Sequence, residues 1–200
     1  MATTDIRLAT VDDALSIQAI YAPFVADTVI SFELTPPSVD EMAARIQKTA
    51  GKFPWLVCVA ADQQIGGYAY ASSHRERAAY QWSVDVSVYV SPAYQRRNIG
   101  RALYTALFEL LRALGYQNAY AGITLPNPAS VGLHTAVGFE PVGVYQQVGY
   151  KFGAWHDVGW WALSLNCPTT EPLSPRSITE LIDTPIWFDA IQMGRRLIHA

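Results

Sequence analysis

The chain has 200 residues, half of them hydrophobic and 16% charged, with a formal net charge of −3. That composition suits one α/β domain with a sizeable core and excludes a disordered chain. An acidic balance also excludes a general binder of nucleic acid or of anionic membrane surfaces. No run approaches the ~20 apolar residues of a membrane span, and the opening MATTDIRLAT carries charge early without an apolar signal core, so a cytoplasmic location is expected. Cys58 and Cys167 give no disulfide framework. His74, His134, His156 and His199 show no ligand spacing, so no metal is expected.

In chain order, Asp5–Ala9 reads as a first strand. Thr10-Val11-Asp12-Asp13 caps a helix whose apolar stripe is Ala14, Ile17, Ala19, Ile20 and Phe24. A loop carries Phe32 and Glu33, and Ser38-Val39-Asp40-Glu41 has capping-box spacing for a helix to about Ala50. Trp55–Ala61 and Gln64–Ser72 form a hairpin around Asp62-Gln63, then a polar loop from His74 to Ala79 leads into a long strand over Tyr80–Val90.

The chain is organised around Ser87–Gly100, SVYVSPAYQRRNIG. Pro92 closes the strand because it has no N–H for a ladder. The segment then turns polar and basic, and a helix begins with Leu103, Leu107, Leu110, Leu111 and Leu114 on one face and Gly115 as its C-terminal cap. The first N–H groups of a helix have no internal partner and lie at the positive end of its dipole, so this junction suits an anion. Further on, Gln117–Thr124 is a strand, Asn127-Pro128-Ala129-Ser130 opens a helix to about Val137, and Phe139–Val148 and Trp155–Leu165 close the sheet around a loop holding Gly149 and Gly153. Pro168, Pro172 and Pro175 mark a linker over 167–176. Beyond it, 177–200 offers two capped helix starts (Ser177-x-x-Glu180 and Asp183-Thr184-Pro185), with Ile186, Trp187, Phe188, Ile191 and Leu197 available for burial on the domain or a second subunit.

The loop spacing Gln95-Arg96-x-x-x-Gly100 resembles the pyrophosphate loop of the GNAT N-acetyltransferases, with Asn98 where that family has its first glycine. Asparagine is the non-glycine residue that best tolerates a left-handed backbone. At closer range the chain resembles the phosphinothricin and methionine sulfoximine/sulfone acetyltransferase branch. Tyr80-x-Trp82, Val88-Tyr89-Val90-Ser91-Pro92, Leu125-Pro126-Asn127, His134 and the run KFGAWHDVGWW from Lys151 carry this likeness. It implies a GNAT fold over 1–166: a mixed, mostly antiparallel α/β sheet of about seven strands, splayed at the fourth and fifth, flanked by four helices. The C-terminal helical extension lies outside it.

The resemblance further implies acetyl-CoA as cosubstrate, a small amino-acid substrate and a homodimer, with resistance to an antibiotic or herbicidal amino acid as the outcome. By resemblance the coenzyme lies on Val88, Tyr89 and Val90, on the loop Arg96, Arg97, Asn98, Ile99, Gly100 and Arg101, and along Asn127 and Ser130. Asn127 and Ser130 also read as simple helix caps. The family branch has a glutamate base on the strand before the loop, and Asp85 stands at that position. Being about 1.5 Å shorter in reach, it points to a base acting through water; its other reading is a paired or solvated strand carboxylate. His134, four residues ahead of Gly138, matches the branch histidine as thiolate partner or second acid/base group. Phe32, Arg75, Tyr80, Trp82, Tyr145 and Lys151 are the candidate substrate residues, with Arg75 suited to a carboxylate. Two readings compete: transfer to another amine or a protein N-terminus, and a non-catalytic acyl-CoA-binding regulatory module, which the Asp85 and Asn98 departures leave open.

Overall fold

The computed structural model describes residues 4–167 and 169–199. Pro168 of the linker, the first three residues of the opening and Ala200 lie outside the described residues. The strands are β1 (Asp5–Leu8), β2 (Trp55–Val59), β3 (Ile65–Ser73), β4 (Ser83–Val90), β5 (Asn118–Leu125), β6 (Glu140–Lys151) and β7 (Ala154–Ser164). The helices are α1 (Ala14–Ala26), α2 (Val39–Thr49), α3 (Ile99–Leu114), α4 (Pro128–Ala136) and α5 (Pro185–Arg195). One seven-stranded sheet runs β1-β2-β3-β4-β5-β7-β6. All neighbours are antiparallel except β4 and β5, which are parallel.

That parallel junction is where the sheet opens. β4 and β5 pair only over Ser83–Asp85 and Asn118–Tyr120. β3 stays paired with β4 as far as Val90 and β7 stays paired with β5 as far as Leu125. The sheet therefore splits after Asp85, leaving one edge of Val86–Val90 free for a ligand.

Two cores sit on the two faces. One gathers the α3 leucines, with Leu103, Leu107, Leu110 and Leu111 all fully buried against Val84, Val86, Ala119 and Trp161. Burial on this scale contributes roughly 1.5–3 kcal/mol per leucine. The other packs Ile17, Tyr21, Met42 and Ile46 of α1 and α2 on Trp55, Val57 and Tyr68. α3 ends as its sequence requires: Gly115 takes φ 93° and returns its N–H to the Arg112 carbonyl.

Two boundaries depart most from the sequence expectation. β4 starts at Ser83, not Tyr80, because β3 gives out at Ser73 opposite Val84, and Ala78–Tyr80 instead close a 3₁₀ turn on their own backbone bonds. β6 runs on to Lys151, and only Phe152-Gly153, at φ 50° and 77°, form the turn to β7. Gly149 consequently lies inside β6, at a register shift, and the Phe32 ring occupies the space where a Cβ would stand.

The 177–199 segment folds onto its own chain. Ile178, Leu181, Trp187, Ala190 and Ile191 join the α3 core, Arg195 meets Asp5 at 3.3 Å, and the capping box at Ser177 and Glu180 is formed. Of the tail residues expected to be available for burial, Leu197 is partly buried against the core, whereas Phe188 is 57% and Ile186 46% exposed.

Candidate active site

Two cavities open along the split. The larger, about 660 Å³, runs from the β4 edge at Val88, Tyr89 and Val90 to the start of α3 at Arg96, Asn98, Ile99, Gly100 and Arg101, and is closed on its far side by Asn127, Ser130 and Leu133. A smaller one lies deeper between the splayed strands, bounded by Val86, Thr124, Tyr104 and His134. The loop backbone is specialised. Arg96 and Asn98 both take φ 63°, and Asn98 is in the left-handed region that its residue type tolerates. The first bond of α3 runs from the Ala102 N–H to the Asn98 carbonyl, so the N–H groups of 99–101 are left to face a ligand. Arg97 departs from the expectation: its guanidinium lies over the Tyr94 ring at 5.3 Å and does not line the groove.

On the other face of the split, Asp85 is half-buried and accepts a hydrogen bond from His74 Nδ1 at 2.7 Å. Burial pushes its carboxyl above the usual range, while the His74 hydrogen bond and charge, and Arg75 nearby, pull it back. Among the described residues its second oxygen has no hydrogen-bond partner, which leaves one acceptor for an amine proton or a water. The His74 ring stacks on Tyr120 at 4.5 Å and meets Tyr80 and Trp160 edge-on at 6.0 and 6.1 Å. Arg75 lies over Trp160 at 5.8 Å, and Tyr145 stands at the same distance on that indole. Asp85, Arg75, Tyr80 and Tyr145 thus come together.

The candidates read from the sequence do not include His74, Tyr120 or Trp160. The signal for His74 is the hairpin register: with Ser72 opposite Asp85, residue 74 is its diagonal neighbour on the same face. Tyr120 is the parallel partner of Asp85 itself.

Two expected substrate residues are engaged elsewhere. The Trp82 indole N–H donates to the Leu173 carbonyl at 2.8 Å, tying the linker to the sheet. The Lys151 ammonium is buried and donates to the carbonyls of Val25 and Ser31 at 2.6 and 2.8 Å. A lysine spent this way is a strut that fixes the loop carrying Phe32. His156 is framework, bonded at 3.0 Å to the Lys151 carbonyl.

His134 is buried, and its tautomer is fixed. Nδ1 donates to the Ser130 carbonyl at 2.8 Å, and Nε2 accepts from the Tyr104 hydroxyl at 3.0 Å. Burial lowers its pKa despite the Ser130 bond, so the ring is held neutral. In this state Nε2 is an acceptor with no proton of its own, and His134 lines the smaller cavity directly, beside Tyr104 and Ser130. Asn127 caps α4 by accepting from the Ser130 N–H at 3.1 Å, and both residues also line the groove.

A split sheet whose free edge leads into a helix start with unpaired N–H groups suits a carrier with a peptide-like arm and a phosphate end, and a half-buried carboxylate stands beside it. The acetyltransferase (GNAT) domain model matches residues 6–160. The chain is 34% identical over 177 residues to a phosphinothricin N-acetyltransferase of Streptomyces viridochromogenes, covering 88% of this chain and 96% of that one. It is 34% identical over 171 residues to an L-methionine sulfoximine/L-methionine sulfone acetyltransferase of Pseudomonas paraeruginosa, covering 85% and 99%. A crystal structure of a GNAT phosphinothricin acetyltransferase from Sinorhizobium meliloti in complex with acetyl-CoA superposes with TM-score 0.80 at 35% identity, covering 88% of this chain and 98% of that chain. The chain belongs to the GNAT acetyltransferase family and is an acetyl-CoA-dependent N-acetyltransferase.

Proposed function

We propose that this enzyme acetylates the α-amino group of a small amino acid of the phosphinothricin or methionine sulfoximine/sulfone type, and so gives resistance to such compounds. The observation that carries this is the Asp85–His74 pair, set in an aromatic wall with Arg75 at the mouth of the split. An α-amino group with pKa about 8 is mostly protonated at neutral pH, and must lose a proton before it can attack. Asp85 takes that proton on its free oxygen, directly or through a water, while His74 holds the other oxygen. Arg75 receives the substrate carboxylate in a bidentate pair. Tyr80, Tyr145 and Phe32 shape the pocket around the side chain.

Acetyl-CoA supplies the thioester carbonyl that the freed amine attacks. The protein's part is to seat it. The loop amides at 99–101, with Arg96 and Arg101, hold phosphate, and the free edge at Val88–Val90 pairs with the amide-bearing arm. The groove joins that free edge to the helix start, where the backbone N–H groups of 99–101 supply donors, which supports this reading. Residues 1–166 form the catalytic domain, which works in the cytoplasm as a homodimer. The apolar exposed side chains of β6 and β7, among them Val144, Val148, Tyr150 and Trp155, supply surface for association. Among the described residues no helix is long and apolar enough to cross a membrane.

Thiol release from acetyl-CoA over a panel of amines tests the assignment. Turnover on L-phosphinothricin, L-methionine sulfoximine and L-methionine sulfone, with weak turnover on a polyamine or a peptide N-terminus, is expected. Preference for the peptide would overturn it. A pH profile tests the pair. His74→Phe keeps the ring stack but removes the donor that lowers the Asp85 pKa, so the acid limb of kcat/KM moves to higher pH. An unmoved limb would detach His74 from the base.

A further inference from the structure

We propose that the C-terminal extension is a working part of the coenzyme groove, with Asn98 as the latch that joins it to the phosphate loop and His199 as a phosphate-binding residue. This rests on the reading of that groove as the acetyl-CoA site. Four observations meet here. The Asn98 side-chain Nδ2 donates to the Leu197 carbonyl at 2.9 Å, and the His199 N–H donates to the Arg97 carbonyl at 3.1 Å. Two bonds from one short segment therefore land on the adjacent residues Arg97 and Asn98, within the part of the loop where Arg96 and Asn98 both take positive φ. His199 itself lines the groove beside Arg96, Asn98 and Arg101. Finally, the tail is carried to this spot by close packing. At Gly194 a Cβ would come within 2.6 Å of the Ala102 carbonyl and 3.0 Å of Ala106 and Ile6, so α5 crosses the first turns of α3 at a distance that only glycine allows.

The Asn98 departure gains a physical reason. Glycine at 98 would keep the turn but could not hold the tail. Asparagine keeps the turn, as its φ of 63° shows, and adds a donor for Leu197. Two peculiarities of the sequence, a side chain in a loop that usually has none and a tail beyond the matched domain, are two halves of one contact. Held there, the loop amides are fixed before the coenzyme arrives, which lowers the ordering cost of binding. The His199 imidazole adds an N–H donor at the phosphate end of the groove.

The test measures equilibrium binding of coenzyme A and of S-acetylpantetheine, which lacks the phosphates, by calorimetry on the full chain. Asn98→Gly and His199→Ala are compared with wild type. Each variant is expected to weaken coenzyme A binding about 5- to 10-fold, the net scale of one hydrogen bond, and to leave acetylpantetheine binding unchanged. Hydrogen exchange on wild type is expected to show coenzyme A slowing the amides of 195–199 together with those of 96–101. If wild type binds neither ligand, the groove reading itself fails. If wild type binds coenzyme A and both variants bind it equally well, with tail amides unaltered, the groove stands and the tail proposal is overturned.

Discussion

Asp85→Asn is expected to lower kcat/KM for the preferred amino acid by about 10²–10⁴-fold at neutral pH, the range for loss of a general base. Asparagine fills the same volume and can still accept the His74 bond, so the aromatic wall stays in place and coenzyme A affinity stays at the wild-type value. The stability change has the opposite sense to the activity change. Burial raises the Asp85 pKa in the folded state, so the native chain binds this proton more tightly than the unfolded chain does. Stability from this group is therefore fully present below the ordinary carboxylate pKa and is lost as pH rises through the raised folded value. At neutral pH the charged carboxylate costs stability, and the neutral amide of the variant removes that cost together with the activity. Thermal unfolding of wild type and Asp85→Asn at pH 7 should show the variant equal or higher in midpoint. A variant that loses activity because it loses its fold would show the reverse, and one that keeps its activity would remove Asp85 as the base.

The likeness to a family made the loop, the free edge and Asp85 legible, because each depends on residues close together in sequence. Gln95 to Gly100 lie in one turn, and Val88 to Val90 lie in one strand. The fold was legible for a related reason: capping boxes at Ser38 and Ser177 and the glycine at 115 act locally, and all three do what their residue types dictate. His74 was harder to see because its role exists only across a strand pair, and depends on a register that the hairpin turn alone does not display. Lys151 misled for the same reason. Its carbonyl partners, Val25 and Ser31, are more than a hundred residues away, so a charged side chain near the cleft read as a substrate contact when it is a strut. Asn98 shows the limit most clearly. The sequence presents it as a defect in a glycine loop, and only the return of the chain at Leu197 supplies its partner.

His134→Ala should be the most destabilising of the cleft substitutions. It removes a buried ring and leaves the Tyr104 hydroxyl, in a side chain that is fully buried, without its acceptor. An unsatisfied buried hydroxyl costs about 1–3 kcal/mol, and the cavity adds to it. For a chain of this size each kcal/mol lowers the thermal midpoint by roughly 2–4 °C, so a fall of roughly 5–10 °C is expected. Tyr104→Phe alone strands the other half of the pair by depriving Nε2 of its donor. His134→Phe combined with Tyr104→Phe takes both polar groups away, so the double variant should recover part of the loss. A double-mutant cycle should give a coupling of about 1 kcal/mol or more. A coupling near zero would mean that the hydroxyl and the imidazole do not bond in solution. The pH dependence has a fixed sign. Burial lowers the His134 pKa in the folded state from the ordinary 6.5, so the unfolded chain takes up this proton first as pH falls. The His134 contribution therefore declines as pH falls below about 6.5, and a histidine at 134 makes the enzyme less stable towards acid than His134→Phe would be. That acid sensitivity is the cost of a polar group the cleft uses. With Nδ1 bonded to Ser130 and Nε2 to Tyr104, the ring supplies a neutral polar surface that keeps the Tyr104 hydroxyl and the start of α4 in place on the smaller cavity between the splayed strands.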